Sequence, residues 1–147
     1  MSDRGIVDTW ERLVRYHRTT TTAMDQRLRA AFGHSLDDYD VLHQISVNGG
    51  PIRMGDLAEN LLVANSSCNR IVARLVERGL VERSHADSDG RVVLVDLTRA
   101  GNTLRRPMAV QHTRDIGSRF GALITPAELA VIDAVLRRMV AEPPAEL

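Results

Sequence analysis

The sequence predicts a mainly α-helical fold with one small β-hairpin. Apolar residues recur at helical spacing over most of the chain, and strand-forming residues replace this pattern only between about 80 and 97. The chain has 147 residues, of which 44% are hydrophobic and 26% charged, so we expect a single globular domain. The net charge is zero and indicates no particular partner, although all nineteen basic residues are arginine.

The first third of the chain predicts two helices. Apolar side chains over 6–32 follow a helical stripe that ends at Gly33, so this segment should form one long helix. Ser35 and Asp38 have the spacing of a capping box, with Asp in place of the usual Glu. They predict the start of a second helix over about 37–47.

The middle of the chain predicts a helix-turn-helix. Two short helices are expected over about 55–62 and 66–78, and only three residues separate them, which is the turn length of that motif. A helical wheel of the second of these helices gives it one apolar face centred on Cys68. Five side chains are predicted to form this buried face: Cys68, Ile71, Val72, Leu75 and Val76.

The opposite face of the same helix is predicted to be exposed and polar. It bears Ser66 and Arg70, with Asn69 and Arg74 at its edges. Arginine can bond guanine through two hydrogen bonds, asparagine can do the same for adenine, and serine suits either base. The N-terminal amides of a helix also favour a phosphate. The alternative interpretation is an ordinary solvated helix face.

Strands over about 80–85 and 91–97, joined by a polar tip, predict a hairpin that projects from the body. Arg91 follows the tip, where a guanidinium is placed to enter a narrow minor groove, and Asp89 is placed to hold it by a charge-assisted bond. The alternative is a surface hairpin with an exposed local ion pair, which contributes little to stability.

Two further helices are expected at the C-terminal end. Thr98 can cap a helix over 99–123, in which Pro107 should cause a kink or a restart. Thr125 and Glu128 then predict the start of a last helix. Its apolar stripe, like that of the first helix, has little left to bury within one chain, so we expect both to pair across a two-fold axis.

Together these segments resemble the MarR family of transcription regulators. NSSCNRIVARLVERGLVER at 65–83 is similar to the recognition helix and first wing strand of that family. DGR at 89–91 and VDLTRAG at 95–101 resemble its wing and the start of its next helix, and DYDVL at 38–42 resembles its second helix. The resemblance covers nearly the whole chain in the family's order of elements.

The resemblance implies a single domain over 1–147: a winged helix-turn-helix DNA-binding core at about 37–98, with dimerisation helices at about 5–33 and 99–142. It implies a homodimeric transcription regulator of a bacterial cell, in most members a repressor, that binds a pseudo-palindromic site in double-stranded DNA. It further implies release from DNA by a small aromatic or phenolic ligand.

Carried over by position, the resemblance places six residues at the major groove or its phosphates: Asn65, Ser66, Ser67, Asn69, Arg70 and Arg74. Arg91 then becomes the wing-tip residue, supported by Asp89. Two positions depart from the family pattern. Gly90 stands where a second arginine is common, and Ala64 stands where Ser or Thr usually caps the helix, so Asn65 would have to act as the cap.

Four side chains are candidates for a ligand pocket: Trp10, His17, Tyr39 and His43. Tyr39 and His43 lie four residues apart on the second helix, near the place of the family's effector cleft, and a pocket needs an apolar body with a few polar groups. Trp10 lies on the apolar stripe of the first helix, so a place in a dimer core is the alternative. Cys68, the single cysteine, is predicted to be buried and structural.

Several classes of protein are not expected. No run of about 18 apolar residues predicts a membrane span, and no signal peptide is recognisable, so we expect a cytoplasmic protein. We find no histidine spacing typical of a metal site, no phosphate-binding loop and no nucleophile motif, so we expect neither an enzyme nor a cofactor. A winged-helix protein-interaction module and a ligand-binding dimer without DNA recognition stay open as alternatives. Salt dependence discriminates a DNA-binding regulator from the interaction module, since DNA binding weakens steeply with salt and a mainly apolar protein interface does not.

Overall fold

The computed structural model describes residues 3–86 and 89–141. Within these ranges a small antiparallel sheet accompanies an otherwise helical chain, which confirms the predicted fold class. The elements are α1 (Asp3–Phe32), α2 (Leu36–Asn48), β1 (Ile52–Arg53), α3 (Met54–Leu61), α4 (Asn65–Glu77), β2 (Val81–Ala86), β3 (Asp89–Leu97), α5 (Arg99–Arg119), a 3₁₀ turn (Gly121–Leu123) and α6 (Pro126–Ala141). The chain divides into two compact units, one ending at His112 and one beginning at Thr113. None of the described helices combines the length and apolarity needed to cross a membrane.

Helix α1 continues without a break through its run of four threonines. The hydroxyl groups of Thr19 and Thr21 donate hydrogen bonds to the carbonyl oxygens of Arg15 and His17, four residues earlier, at 2.9 and 2.7 Å. These bonds satisfy the hydroxyl groups without interrupting the helix. The helix ends where predicted, because Gly33 adopts a left-handed φ of 72°.

The predicted capping box at the start of α2 is present. The amide of Asp38 donates to Oγ of Ser35 at 3.0 Å, and the amide of Ser35 donates to Oδ2 of Asp38 at 3.2 Å. Two helix-end amides are therefore satisfied by side chains of the same turn. At its other end α2 stops at Gly49, which is again left-handed.

The helix-turn-helix consists of α3 and α4, but the predicted cap of α4 is wrong. The N-cap residue is Ala64, which has no side chain to accept a hydrogen bond, and Asn65 is already the first helical residue. Leu62 closes α3 in a left-handed conformation with φ of 55°. The turn therefore starts one residue earlier than expected, and the first amides of α4 receive no side-chain cap from Ala64.

Three strands form the sheet, in the order β1-β3-β2. The predicted hairpin corresponds to β2 and β3, with Val81 opposite Leu97 and an irregularity near the tip. Strand β1 was not predicted, since two residues are too short to carry a pattern. Its Ile52 lies opposite Val95 and connects the base of the hairpin to the start of α3.

The core of the larger unit lies between α2, α3, α4 and the sheet. Its fully buried side chains include Leu28, Val41, Leu42, Ile45, Leu57, Cys68, Val72, Leu75, Val95 and Met108. The predicted apolar face of α4 is correct at Cys68, Val72 and Leu75 but too wide. Val76 is 36% exposed and Ile71 is half-buried, because the contacts of α4 with its neighbours cover a narrower seam.

The two C-terminal helices begin as predicted. The amide of Gly101 donates to the hydroxyl of Thr98 at 3.0 Å, which caps α5, and Thr125 exchanges bonds with Glu128 ahead of α6. The backbone N–H of Thr125 holds the pKa of Glu128 below its usual value. Helix α5 continues through Pro107, which excludes a restart and leaves the kink as a prediction, and it ends at Arg119 rather than near 123.

We expect Gly101→Ala to destabilise the protein by about 1–3 kcal/mol, the usual cost of overpacking. A Cβ at Gly101 would lie 1.9 Å from the carbonyl oxygen of Leu80, a backbone atom that cannot move aside. Gly55→Ala is the matched control, since a Cβ there meets no atom within 4 Å. Denaturant unfolding measures both changes, and equal midpoints for the two variants would contradict the close approach.

Candidate nucleic-acid interface

The N-terminal half of α4 exposes a polar face. Ser66, Asn69 and Arg70 are exposed, and Ser67 is half-buried. The amide nitrogen of the Asn69 side chain donates to the carbonyl of Asn65 at 3.0 Å, and Nη2 of Arg70 lies 3.4 Å from Oγ of Ser67. The first turn holds no acidic residue, so the positive end of the helix dipole is not neutralised by the helix itself.

Arg83 attaches the hairpin to this helix. It projects from β2, and its Nη2 donates to the carbonyl oxygen of Asn69 at 3.2 Å. Arg83 was not predicted as a functional residue, because a strand arginine fourteen residues from its acceptor leaves no pattern in the sequence. The bond fixes the hairpin against the middle of α4, next to the side chains that carry the polar face.

Cys68 lies under the polar face and is fully buried, as predicted. Its Sγ is 3.9 Å from Sδ of Met54 on α3. Burial raises the pKa of the thiol, and the nearby charge of Arg83 opposes this only in part. A protonated, buried thiol of this kind packs as a small apolar group.

The hairpin tip is described only in part. Arg91 is exposed on β3, just beyond the tip. The side chain of Asp89 lies outside the described residues, so its predicted support of Arg91 stays a prediction. Gly90 forms part of β3.

On the inner side of α4, one buried carboxylate gathers a group of polar side chains that we call the Asp38 cluster: His34, Ser35, Asp38, Arg74 and Arg78. Asp38 is 2% exposed. Its Oδ1 accepts from both Nε, at 3.1 Å, and Nη2 of Arg74, while Oδ2 accepts from the amide of Ser35. Burial alone would raise the pKa of Asp38, but the hydrogen bonds from Arg74, Ser35 and His34 together hold it below its usual value.

Arg74, which was predicted to lie at the groove, is bound within the chain. Two of its nitrogens are bound to a carboxylate that lies in the core and belongs to α2, thirty-six residues earlier in the chain. A guanidinium engaged in this way stabilises a buried charge and orients the helix that carries it. Arg74 therefore holds α4 in place, and its predicted contact with DNA stays a prediction.

The four candidate pocket residues are brought together only in part. Tyr39 is buried and stacks on His43, with ring centroids 5.6 Å apart, and a residue that was not predicted, His112 of α5, lies 4.9 Å from the same ring. Trp10 and His17 are exposed on α1 and make no ring contact with Tyr39 or His43 among the described residues. Within one chain, the described residues thus bring together Tyr39 and His43 but not Trp10 and His17, and the ligand pocket stays a prediction.

Charged neighbours modify this ring cluster of Tyr39, His43 and His112. Burial raises the pKa of the Tyr39 hydroxyl, Asp40 adds to the effect and Arg105 opposes it. Burial, together with the nearby charge of Asp37, raises the pKa of Asp40 to about 6. Nδ1 of His43 and Nε of Arg105 are buried and have no hydrogen-bond partner in the described part of the chain.

Comparison with known proteins agrees with these features. Residues 32–92, which include the helix-turn-helix and most of the hairpin, match the sequence model of the MarR family. The fold is similar to that of AbsC, a MarR family transcriptional regulator from Streptomyces coelicolor. The two are 26% identical with a TM-score of 0.86, over 96% of this chain and 95% of AbsC. The chain is thus similar to MarR family regulators both in sequence, over 32–92, and in fold.

Two further relatives are regulators. BpsR of Bordetella bronchiseptica, whose DNA binding is regulated by 6-hydroxynicotinic acid, is 25% identical with a TM-score of 0.80, over 90% of this chain and 93% of BpsR. The HTH-type transcriptional regulator YfiV of Bacillus subtilis is 34% identical over 59 residues. That match spans 40% of this chain and 37% of YfiV, a little over a third of its length.

We expect Asp38→Asn to cost about 1.5–3 kcal/mol at neutral pH, the range for hydrogen bonds to a charged group. The lower half of the range is favoured because solvent partly screens Arg74. The pKa of Asp38 is lower in the folded than in the unfolded state. Its contribution is therefore complete above the ordinary carboxyl pKa of about 4 and is lost as the pH falls further.

Asp37→Asn is the matched control, because Asp37 is the exposed neighbour of Asp38 on the same helix turn. Urea unfolding at a series of pH values measures both variants. The difference between the wild type and Asp38→Asn should shrink below about pH 4, whereas Asp37→Asn should stay close to the wild type. A loss at Asp38 that is independent of pH would contradict the charged cluster.

Proposed function

We propose that this chain is a member of the MarR family and a transcription regulator that binds a specific site in double-stranded DNA through the polar face of α4. The observation that carries the proposal is the construction of this helix. Its inner side is bound to the core by the Asp38 cluster and its seam of Cys68, Val72 and Leu75, while its N-terminal half exposes hydrogen-bonding side chains. Its relative BpsR binds DNA, and AbsC is a transcriptional regulator, which supports the same function here.

Each exposed side chain of α4 suits a particular contact. Arg70 can donate two bonds to guanine, and its contact with Ser67 restricts the directions that its guanidinium takes. The Asn69 amide nitrogen is engaged by Asn65, so its oxygen is the atom directed to a base, where it suits the amino groups of adenine or cytosine. Ser66 and the first amides of α4 are placed for a phosphate.

The hairpin supplies the second contact in this proposal. Arg91 enters the minor groove beside the site occupied by α4, and Asp89 supports it. The bond from Arg83 to Asn69 keeps hairpin and helix together, so that both contacts are made in a fixed relation. Narrow, A·T-rich minor grooves attract arginine because their negative potential is high.

We further propose that the regulator is a homodimer. Apolar side chains along both terminal helices are exposed in a single chain: Ile6, Val7, Trp10 and Leu13 of α1, and Leu129, Val131, Leu136, Met139 and Val140 of α6. A second copy removes such surface from water, at about 25 cal/mol for each Å². A two-fold dimer presents two α4 helices to half-sites about 34–36 Å apart, which predicts a pseudo-palindromic operator.

Regulation by a small aromatic ligand is proposed from the ring cluster. The neighbouring rings of Tyr39, His43 and His112 offer an apolar surface, and the unpartnered nitrogens of His43 and Arg105 offer donors or acceptors beside it. Such a combination suits an aromatic molecule that carries an acidic or phenolic group. BpsR responds to a ligand of this chemical kind. In a repressor, ligand binding would favour a form in which the two α4 helices no longer match the operator.

Because the proposed partner of the protein is chromosomal DNA, its proposed place of action is the bacterial cytoplasm.

Selection from randomised DNA duplexes tests the function directly. Purified protein at about 150 mM salt should enrich a pseudo-palindrome and bind it orders of magnitude more tightly than scrambled DNA, with affinity falling steeply as salt rises. Failure to enrich any motif, together with salt-independent association with a protein partner, would contradict the proposal and favour an interaction module.

We expect Arg70→Ala to weaken binding to the selected site by about 1–3 kcal/mol and to broaden the base preference at one position. Arg137→Ala is the matched control, since it removes the same charge from α6, where Arg137 is exposed and paired with Asp133. Titration of both variants against selected and scrambled duplexes gives the comparison. If Arg70→Ala weakens binding to both duplexes equally, Arg70 contacts a phosphate and not a base.

We expect Leu136→Arg to shift the protein from dimer to monomer and to reduce operator affinity with it. Leu136 is 46% exposed on the apolar side of α6, where a charge in a buried interface would be costly. Ala134→Arg places the same charge on the opposite side of the helix and should stay dimeric. Sedimentation velocity distinguishes the two, and an unchanged dimer for Leu136→Arg would exclude this face from the interface.

A further inference from the structure

The corner between α1 and α2 is closed by a hydrogen bond between residues eleven positions apart. Oδ1 of Asp25, near the C-terminal end of α1, accepts from the backbone N–H of Leu36 at 2.8 Å. Leu36 is the first residue of α2, so its N–H is one of the helix-end amides that have no partner within the helix. An acid of α1 therefore supplies an acceptor that the start of α2 needs.

Asp25 is held in the position that this bond requires. Its Oδ2 accepts from Nε of Arg29, one turn later on α1, at 2.7 Å, which leaves Oδ1 for Leu36. Burial alone would raise the pKa of Asp25, but the bonds from Arg29 and from the Leu36 amide hold it below its usual value. Asp25 is therefore a charged acceptor at neutral pH, and hydrogen bonds to charged acceptors are among the stronger ones.

The same corner is connected to α4. Gly33 turns the chain out of α1 with its left-handed φ of 72°, and its N–H donates to the carbonyl oxygen of Arg29 at 2.9 Å. The carbonyl oxygen of Gly33 accepts from Nη1 of Arg78 at 3.3 Å, and Arg78 is the C-cap residue of α4. The end of α1, the start of α2 and the end of α4 are thus joined at one place, inside the larger unit of the chain.

The length of α1 amplifies any change at this corner. Leu28, close to the corner, is fully buried in the core, whereas Trp10 belongs to the exposed apolar surface of α1 that we propose for the dimer. About 27 Å of helix separates the two, since an α-helix rises by about 1.5 Å per residue. A tilt of about 7° at the corner would therefore move the far end by about 3 Å, which is close to the rise of one base pair, about 3.4 Å.

We propose that Asp25 is a positioning residue that fixes the angle between α1 and α2 with its attached α4, and thereby selects the spacing of the two operator half-sites. The inference rests on the proposed function and dimer, because it takes α1 as a dimer helix and α4 as the DNA-binding helix. A dimer with the bond intact fits one separation of half-sites. To reach half-sites at another separation the wild type has to break the bond, whereas a chain without the bond loses nothing further.

Two variants remove the bond from its opposite ends. Asp25→Ala removes the acceptor and leaves a residue that favours the helix. Leu36→Pro removes the donor at the first position of a helix, where proline is well tolerated, and the extended ψ of 168° at Ser35 suits a residue before proline. Two controls match them: Asp25→Asn keeps an acceptor oxygen, and Leu36→Ala keeps the N–H while it shortens the side chain.

The readout is the discrimination between operators of different spacing. Each protein is titrated against the selected operator and against versions whose half-sites lie one base pair closer or farther apart. The ratio of affinities for the best and the altered spacing should fall by roughly fivefold in Asp25→Ala and in Leu36→Pro, the size expected for one hydrogen bond. Base preference within each half-site should not change, because the exposed side chains of α4 are the same.

The two controls should keep the wild-type ratio. An equal fall in Leu36→Ala and Leu36→Pro would assign the effect to side-chain packing and overturn the inference. An unchanged ratio in both variants that lack the bond would also overturn it, and would leave the proposed function standing. If the wild type binds no specific DNA, the proposed function fails and the spacing role of Asp25 is refuted with it.

Hydrogen exchange of the free protein supplies a second readout that needs no DNA. The Leu36 amide should exchange slowly in the wild type and in Asp25→Asn, and much faster in Asp25→Ala, because a first-turn amide has no other partner within its helix. Fast exchange of this amide in the wild type would overturn the inference, whatever the affinities.

Discussion

The buried carboxylate of Asp38 is the constraint on which the arrangement of the helix-turn-helix depends. A carboxylate that is removed from water must be paired and hydrogen-bonded, or the folded state loses several kcal/mol. Asp38 meets this need with groups from two places in the chain, the Ser35 amide at the start of α2 and the Arg74 guanidinium of α4. The same interactions that satisfy the charge therefore fix α4 against α2.

This constraint explains why α4 can present its polar face without a conventional cap. Ala64 offers no side-chain acceptor, and the first amides of α4 are left for solvent or for a phosphate. Stability comes instead from the inner side, through the apolar seam and the Asp38 cluster, and from Arg83, which binds the backbone at Asn69. The outer, polar side of α4 therefore stays available for binding. A helix held from one side and exposed on the other is suited to enter a groove as a rigid element.

The features that could be predicted from the sequence are those set by neighbouring residues. The box of Ser35 and Asp38, the left-handed stop at Gly33 and the Thr98 cap depend on spacings of a few residues, and all three are present. The apolar stripe of α4 and the hairpin were likewise predictable from periodicity.

The interactions that could not be predicted join distant parts of the chain. Asp38 binds Arg74, which lies thirty-six residues later in the chain, and His112 contacts Tyr39 from another helix. No local spacing in the sequence predicts either contact. The bond of Arg74 to Asp38 was missed for this reason, since an arginine at the edge of a polar face has the same pattern whether it binds DNA or a buried acid. One signal was overlooked. The carboxylate of Asp38 caps α2 through Oδ2, which leaves Oδ1 as a second acceptor, and this is the oxygen that binds Arg74.

A double-mutant cycle between Asp38 and Arg74 is the most direct test of this central interaction. Asp38→Ala, Arg74→Ala and the double variant would be compared by their free energies of unfolding at neutral pH. If the pair acts as one unit, the double variant should lose little more than the worse single variant, which gives a coupling energy of about 1–3 kcal/mol. Additive losses, with a coupling energy near zero, would show that α4 is held by its apolar seam alone and would contradict the central role of the carboxylate.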